Sequence, residues 1–158
     1  DLEEINWAVL WMVAGGFALG VALNETGLAA NLINAIPFNT WPVLAVLIGS
    51  GVICYTLSNF ISNTATAALL VPILAVVGKS MTAELAPIGG VACLLIGIAL
   101  AASVAMLLSI STPPNALAHG TGMIEQKYMA KSGLIMGIIG LVLGYGMLVL
   151  LGSIGFFG

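Results

Sequence analysis

Ser58-Asn59-Phe60-Ile61-Ser62-Asn63-Thr64-Ala65-Thr66 is a run of small polar residues set between two apolar segments. Each segment is long enough to enter a membrane, and no charged residue occurs between Thr26 and Gly78. Lipid offers polar side chains no water, so polar residues inside such a segment need partners or a purpose. The pattern predicts a hairpin over 41–78, with one helical arm over 41–57 and another over 65–77, meeting at Ser62-Asn63-Thr64. The second arm then starts at a Ser/Asn/Thr cap, with its first backbone N–H groups unpaired at the tip. Free donors and the helix dipole at such a start attract anions.

Composition sets the surroundings of this tip. The 158-residue chain is 61% hydrophobic and 6% charged, with a formal net charge of −3. Soluble domains carry about 25% charged residues, so the chain reads as an all-α integral membrane protein. Its length holds about four or five membrane-entering segments. It contains no arginine, and nothing in it suggests nucleic acid as a partner. The lysines (Lys79, Lys127, Lys131) and the acids (Asp1, Glu3, Glu4, Glu25, Glu84, Glu125) lie near the ends of apolar runs, where helices meet water. Lys127 and Lys131 against Lys79 favour a cytoplasmic location for the loop near 125, which puts the mouth of the hairpin outside. Cys54 and Cys93 sit within apolar runs and read as small buried hydrophobes. The chain opens on Asp1-Leu2-Glu3-Glu4 and is expected to be part of a longer protein.

The remaining segments follow from the same logic. A first span is expected over 7–23, with Trp7 and Trp11 at an interface and Gly15, Gly16 and Gly20 as a packing stripe. A short interfacial helix over 28–36, with Asn31 and Asn34 on its polar face, completes a unit over 1–40. Trp41 reads as a further interfacial anchor. Lys79, Ser80, Thr82 and Glu84 read as a polar loop. A broken transmembrane helix is expected over 86–124. Its first part runs over 87–108 and gives way to Ser109-Ile110-Ser111-Thr112-Pro113-Pro114-Asn115-Ala116, where the two prolines stop the helix. Glu125 to Lys131 read as an interfacial loop or short amphipathic turn, before a last span over 132–158.

The two polar breaks share a chemistry. Both offer hydroxyls, amides and freed carbonyls, and neither offers a cation. Hydroxyls and N–H groups bind carboxylate oxygens, whereas unwound carbonyls and the Asn63 side-chain oxygen ligate a hard cation such as Na⁺. A divalent anion bound without Arg or Lys needs positive charge from helix N-termini and from co-bound cations. Cation-coupled anion transport meets both demands. The competing reading is a polar kink used only for packing. His119, a few residues after the second break, reads as hydrogen-bonded or wet near the interface, in preference to a proton-linked group. Glu25 and Glu84 read as solvated caps. No nucleophile-base pair, phosphate loop or metal cluster points to an enzyme, and no charged ring or polar stripe points to a channel.

With Pro72 after the tip and Thr112-Pro113-Pro114-Asn115-Ala116 further on, the chain resembles the divalent anion/sodium symporter family, the sodium-coupled dicarboxylate carriers. The resemblance covers essentially the whole chain, including Gly15-Gly16 and Thr26-Gly27. It implies a re-entrant hairpin and a discontinuous helix belonging to the second of two inverted repeats, a transporter half. It also implies that Ser62, Asn63 and Thr64 contact a substrate carboxylate, with Thr112 and Pro113 beside the substrate. One Na⁺ falls to Ser58 and Asn63 and to backbone carbonyls at Ile61 and Ser111. Ile61 stands where a small residue is expected. The implied function is elevator-type uptake of a succinate-like dicarboxylate across a bacterial inner or plasma membrane. The implied assembly is an oligomer, and the other half-site comes from the missing repeat or from a second copy of this chain. Sulfate transport and sodium-independent exchange stand as alternatives, as does a membrane packing module that transports nothing.

Overall fold

The computed structural model describes residues 40–157 continuously and scattered positions between 7 and 37. The expected first span and interfacial helix therefore lie largely outside the described residues. The described residues form helices and no strand. We number them α1 (Val43–Phe60), α2 (Asn63–Ser80), α3 (Thr82–Leu85), α4 (Gly90–Ser103), α5 (Pro113–Gly120) and α6 (Gln126–Ser153), with a 3-10 turn at Ala86–Ile88. α1, α2 and α6 are each long and apolar enough to cross a membrane. At 18 residues, α1 and α2 are each about 27 Å long.

α4 is the hub, packed against α1, α2 and α6. The sequence explains the fit. On α1 the buried residues include Val46, Leu47, Ser50, Cys54 and Ser58, spaced to share one face. On α2 they are Thr66, Leu70, Leu74 and Gly78, four residues apart. These two faces close on Cys93, Leu94, Gly97, Ile98 and Ala101 of α4. The outer face of α6 leaves Leu134, Ile138, Val142, Leu143 and Leu150 exposed, as an apolar environment requires. Small residues let the helices approach closely. A Cβ on Gly51 of α1 would run into the Tyr145 hydroxyl of α6, and one on Gly133 of α6 would run into the Met106 carbonyl. Trp41 is partly buried and packs against the core.

Several element ends differ from expectation. The tip of the hairpin is narrower, because α1 runs to Phe60 and α2 starts at Asn63, leaving only Ile61 and Ser62 outside the helices. α2 continues through Lys79 to Ser80, so the expected polar loop shrinks to a turn at Met81. A 69° bend separates Thr82–Ile88 from Gly90–Ser103. There Gly89 and Gly90 adopt φ of +97° and +66°, a conformation that glycine adopts without a Cβ penalty. α4 stops at Ser103, five residues before the expected Leu108, and the chain stays unwound over 104–112. The prolines do not terminate a helix. Pro113 and Pro114 open α5, where the missing N–H groups would have had no helical partner anyway. The expected loop at Glu125 to Lys131 is helical from Gln126 onward and forms the first turns of the 28-residue α6.

Gly133 is the position where α6 meets the unwound segment most closely. Gly133→Ala is expected to lower stability by about 1–3 kcal/mol, since the obstacle is backbone. Gly146→Ala, with open space around its Cβ, should leave stability unchanged or raise it slightly. Thermal unfolding of the two variants in detergent checks this, and equal midpoints would contradict it.

Candidate functional site

Both polar breaks are built in the same way. At the first, Ser62 takes an extended conformation (φ −66°, ψ 146°), and its hydroxyl accepts the Ala65 N–H at 3.2 Å. At the second, Thr112 (φ −142°, ψ 149°) caps α5, its hydroxyl accepting the Asn115 N–H at 3.4 Å. In each case a hydroxyl satisfies one of the donors that a helix start leaves open. Accepting that bond leaves the hydroxyl proton free to donate elsewhere.

The tip residues differ in what surrounds them. Ser58 is fully buried, and Ile61 is 4% exposed with its N–H bonded to the Leu57 carbonyl at 2.9 Å. Ser62 and Asn63 are half-buried and Thr64 is exposed. Among the described residues, five buried side-chain oxygens lack a hydrogen-bond partner: Ser58 Oγ, Asn63 Oδ1, Thr66 Oγ1 and the hydroxyls of Tyr55 and Tyr145. Three of the five fall within the nine-residue stretch from Ser58 to Thr66. Helical hydroxyls in apolar surroundings ordinarily bond back to a carbonyl one turn earlier. Ser50, Thr56 and Ser103 do so, to Leu47, Val52 and Ala99 at 3.1, 2.8 and 2.7 Å. Ser58 and Thr66 make no such back-bond, and the Ser58 hydroxyl stands beside the Cys54 thiol.

Asn63 and Thr64 line a groove of about 540 Å³ together with Ala67, Ala68, Val71 and the α4 residues Ala99, Ala102 and Ser103. Small side chains make the room. Thr112 and Pro113 begin α5 and do not line this groove. Ser111 is 1% exposed, and its hydroxyl is already engaged. It donates to the Leu108 carbonyl at 2.7 Å and accepts the Leu108 N–H at 3.2 Å.

The tip and the second break are tied directly. Asn59, 2% exposed, accepts the Leu107 N–H through Oδ1 at 2.8 Å. Asn115 Nδ2 donates to the Met106 and Leu108 carbonyls at 3.2 and 3.5 Å, and Gln126 Nε2 donates to the Leu107 carbonyl at 3.3 Å. Asn59, Thr66 and Asn115 fell within the polar stretches read from the sequence but were given no individual role, and Gln126 was not singled out. Thr66 carried a signal, since it falls one helical turn after Ser62 and its N–H bonds the Ser62 carbonyl at 3.0 Å. Asn59 carried none, because its partner lies 48 residues away.

Away from the tip, His119 Nδ1 lies 3.0 Å from the Ile124 carbonyl, a local bond at the end of α5. Glu25 and Glu84 are exposed, and Cys54 and Cys93 are free thiols buried in the core.

The arrangement is that of a multi-pass helical membrane protein with an uncharged polar centre where two helices begin. Residues 2–154 match the family described as "Sodium:sulfate symporter transmembrane region", and the chain belongs to that family. Similar proteins include an "Uncharacterized transporter" of Haemophilus influenzae, 37% identical over 87% of this chain and 29% of that protein. The "Sodium-dependent dicarboxylate transporter SdcS" of Staphylococcus saprophyticus is 34% identical over 89% of this chain and 26% of its own length. The "Na(+)/dicarboxylate cotransporter 3" of Rattus norvegicus is 33% identical over 89% and 23%. The chain thus spans about a quarter of the length of these curated relatives. The family and these relatives are transporters by name, not enzymes, in keeping with the reading from the sequence.

The open oxygens make a stability test. In sodium-free buffer, Thr66→Val is expected to match or exceed the parent's stability, by up to about 1–2 kcal/mol, because it removes a buried group with no partner. A lowered thermal midpoint would show that the hydroxyl is bonded after all.

Proposed function

We propose that this chain supplies one of two half-sites in a secondary transporter that carries a succinate-like dicarboxylate together with Na⁺. The observation behind the reading is the cluster of buried, unpartnered oxygens on Ser58, Asn63 and Thr66 at a tip between two apolar arms. Ser58 Oγ and Asn63 Oδ1, with the backbone carbonyls of Ile61 and Ser111, take the cation. Ser62, Asn63 and Thr64 hold a carboxylate at the start of α2, where the helix dipole adds to the cation's charge. Thr112 and Pro113 stand beside the substrate. The hairpin is re-entrant, and its two 18-residue arms enter and leave from one side of the membrane. An inverted repeat, or a second copy of this chain in the opposite orientation, brings the other half-site. Translocation is an elevator motion of the domain bearing the tip against a dimeric scaffold. The relatives named as sodium-dependent dicarboxylate transporters support both the ion and the substrate class.

The family description, which names sulfate, favours a second reading. Sulfate is compact and needs donors converging on one centre. The polar groups here follow the first turn of α2, and the groove beside Asn63 and Thr64 has room, at about 540 Å³, for a longer anion. Uptake of labelled succinate into proteoliposomes, with and without an inward Na⁺ gradient, is expected to depend on sodium and to be displaced by succinate well before sulfate. The reverse order of competitors would make sulfate the substrate, and uptake indifferent to sodium would make the protein an exchanger.

Asn63→Ala is expected to raise the sodium and succinate concentrations for half-maximal uptake by about tenfold or more, the cost of losing a bond to a charged ligand. An unchanged sodium requirement would remove Asn63 from the cation site. If neither Asn63→Ala nor Thr64→Ala altered binding, the hairpin would be a packing element.

A further inference from the structure

The unwound segment over 104–112 lies between apolar helices, and several of its backbone groups around Leu107 and Leu108 are met by side chains. The Leu108 N–H is held by Ser111 Oγ, and the Leu108 carbonyl by the Ser111 N–H and hydroxyl. The Met106 carbonyl is taken by Asn115 of α5, and the Leu107 carbonyl by Gln126 of α6. The Leu107 N–H is taken by Asn59 of α1, the last turn before the hairpin tip.

The Asn59 amide is fixed from both ends. Nδ2 donates to the Tyr55 carbonyl at 2.8 Å while Oδ1 accepts the Leu107 N–H at 2.8 Å. A flipped amide would satisfy neither partner, so the orientation follows from the network. The Leu107 peptide is thus gripped by its N–H from the hairpin and by its C=O from α6. Ser58 and Asn63 lie within four residues of Asn59, and Ser111 and Thr112 within five of Leu107.

We infer that Asn59 is a positioning residue that locks the hairpin tip to the unwound segment. It sets the distance between the tip oxygens and the break, and so the affinity for the co-transported cation. This rests on the proposed function for the identity of the ligand. The mechanical lock itself does not depend on that reading. Asn59 needs no contact with the cation: it acts through the Leu107 peptide. Loss of the amide leaves that half-buried N–H without its partner, and the segment is then free to shift away from the tip.

The test compares Asn59→Leu, which removes both bonds, with Asn59→Asp. In either protonation state the aspartate keeps an oxygen that accepts the Leu107 N–H. Two measurements are made on the purified, reconstituted protein. In sodium-free buffer, amide hydrogen exchange of peptides covering 104–112 is expected to speed up by about tenfold in Asn59→Leu and to return close to the parent value in Asn59→Asp. In the uptake assay, half-saturating sodium is expected to rise by about fivefold or more in Asn59→Leu and to recover in Asn59→Asp, with maximal uptake less affected than the sodium requirement. Unchanged exchange over 104–112 in Asn59→Leu would overturn the lock. Faster exchange with an unchanged sodium requirement would reduce Asn59 to a structural role. Sodium-independent uptake by the parent protein would defeat the coupled-transport reading instead, and the exchange experiment would still decide the lock. If Asn59→Leu fails to fold, Asn59→Ala and Gln126→Leu, which removes the opposite grip, carry the exchange comparison.

Discussion

An unwound backbone in apolar surroundings has to find all its hydrogen-bond partners within the protein. That constraint organises the described part of this molecule. Residues 104–112 leave helical geometry in the middle of the bundle, and side chains from α1, α5 and α6 converge to meet the exposed peptide groups. Glycine at 133 brings α6 against the same backbone. The helices are therefore placed as much by the needs of the break as by packing on α4. This accounts for finding Asn59, Asn115 and Gln126, all costly in lipid, where no charge or solvent would demand them.

The same constraint explains which features were legible in the sequence. The helix starts at Asn63 and Pro113 are announced by local chemistry, a hydroxyl residue able to cap three residues ahead, so the tip was found within a residue or two. The end of α4 was not legible. Val104, Ala105, Met106, Leu107 and Leu108 are apolar and resemble the helix that precedes them, and their unwinding depends on side chains distant in the chain. The prolines were misread because a proline pair has two meanings: it ends a helix from inside but opens one from positions N1 and N2. The polar stretch from Glu125 to Lys131 suggested a loop. There the Glu125–Lys127 contact at 2.7 Å is largely exposed and contributes little, while Gln126 in the first turn reaches the Leu107 carbonyl of the break.

The candidate site was legible in outline and incomplete in detail. The stretch from Ser58 to Thr66 holds all three of the tip's unpartnered oxygens, and two of them, on Ser58 and Asn63, were expected. Thr66 was passed over because one threonine in an apolar helix normally bonds its own backbone, as Thr56 does. Only coordinates distinguish a hydroxyl that bonds back from one that does not. Ser111 shows the converse. From the resemblance Ser111 was given a role through its backbone carbonyl, and its hydroxyl turns out to be tied to the Leu108 backbone.

In the proposed reading, the lack of any fixed charge at the tip is what makes coupling strong. An arginine there would hold the anion whether or not sodium were present. A site of neutral oxygens and helix-start donors carries no net charge when empty and little when both ligands are bound. With one sodium from each half-site balancing the dianion, the half-loaded states alone leave an uncompensated charge in a low-dielectric interior, where such a charge is expensive. That cost lowers the population of half-loaded carriers, and it acts equally on both ligands. Whatever factor sodium adds to the affinity for the anion, the anion must return to sodium. A tip built from Ser, Asn and Thr is thus a stronger coupling device than a charged one, provided that the tip and the break keep their spacing.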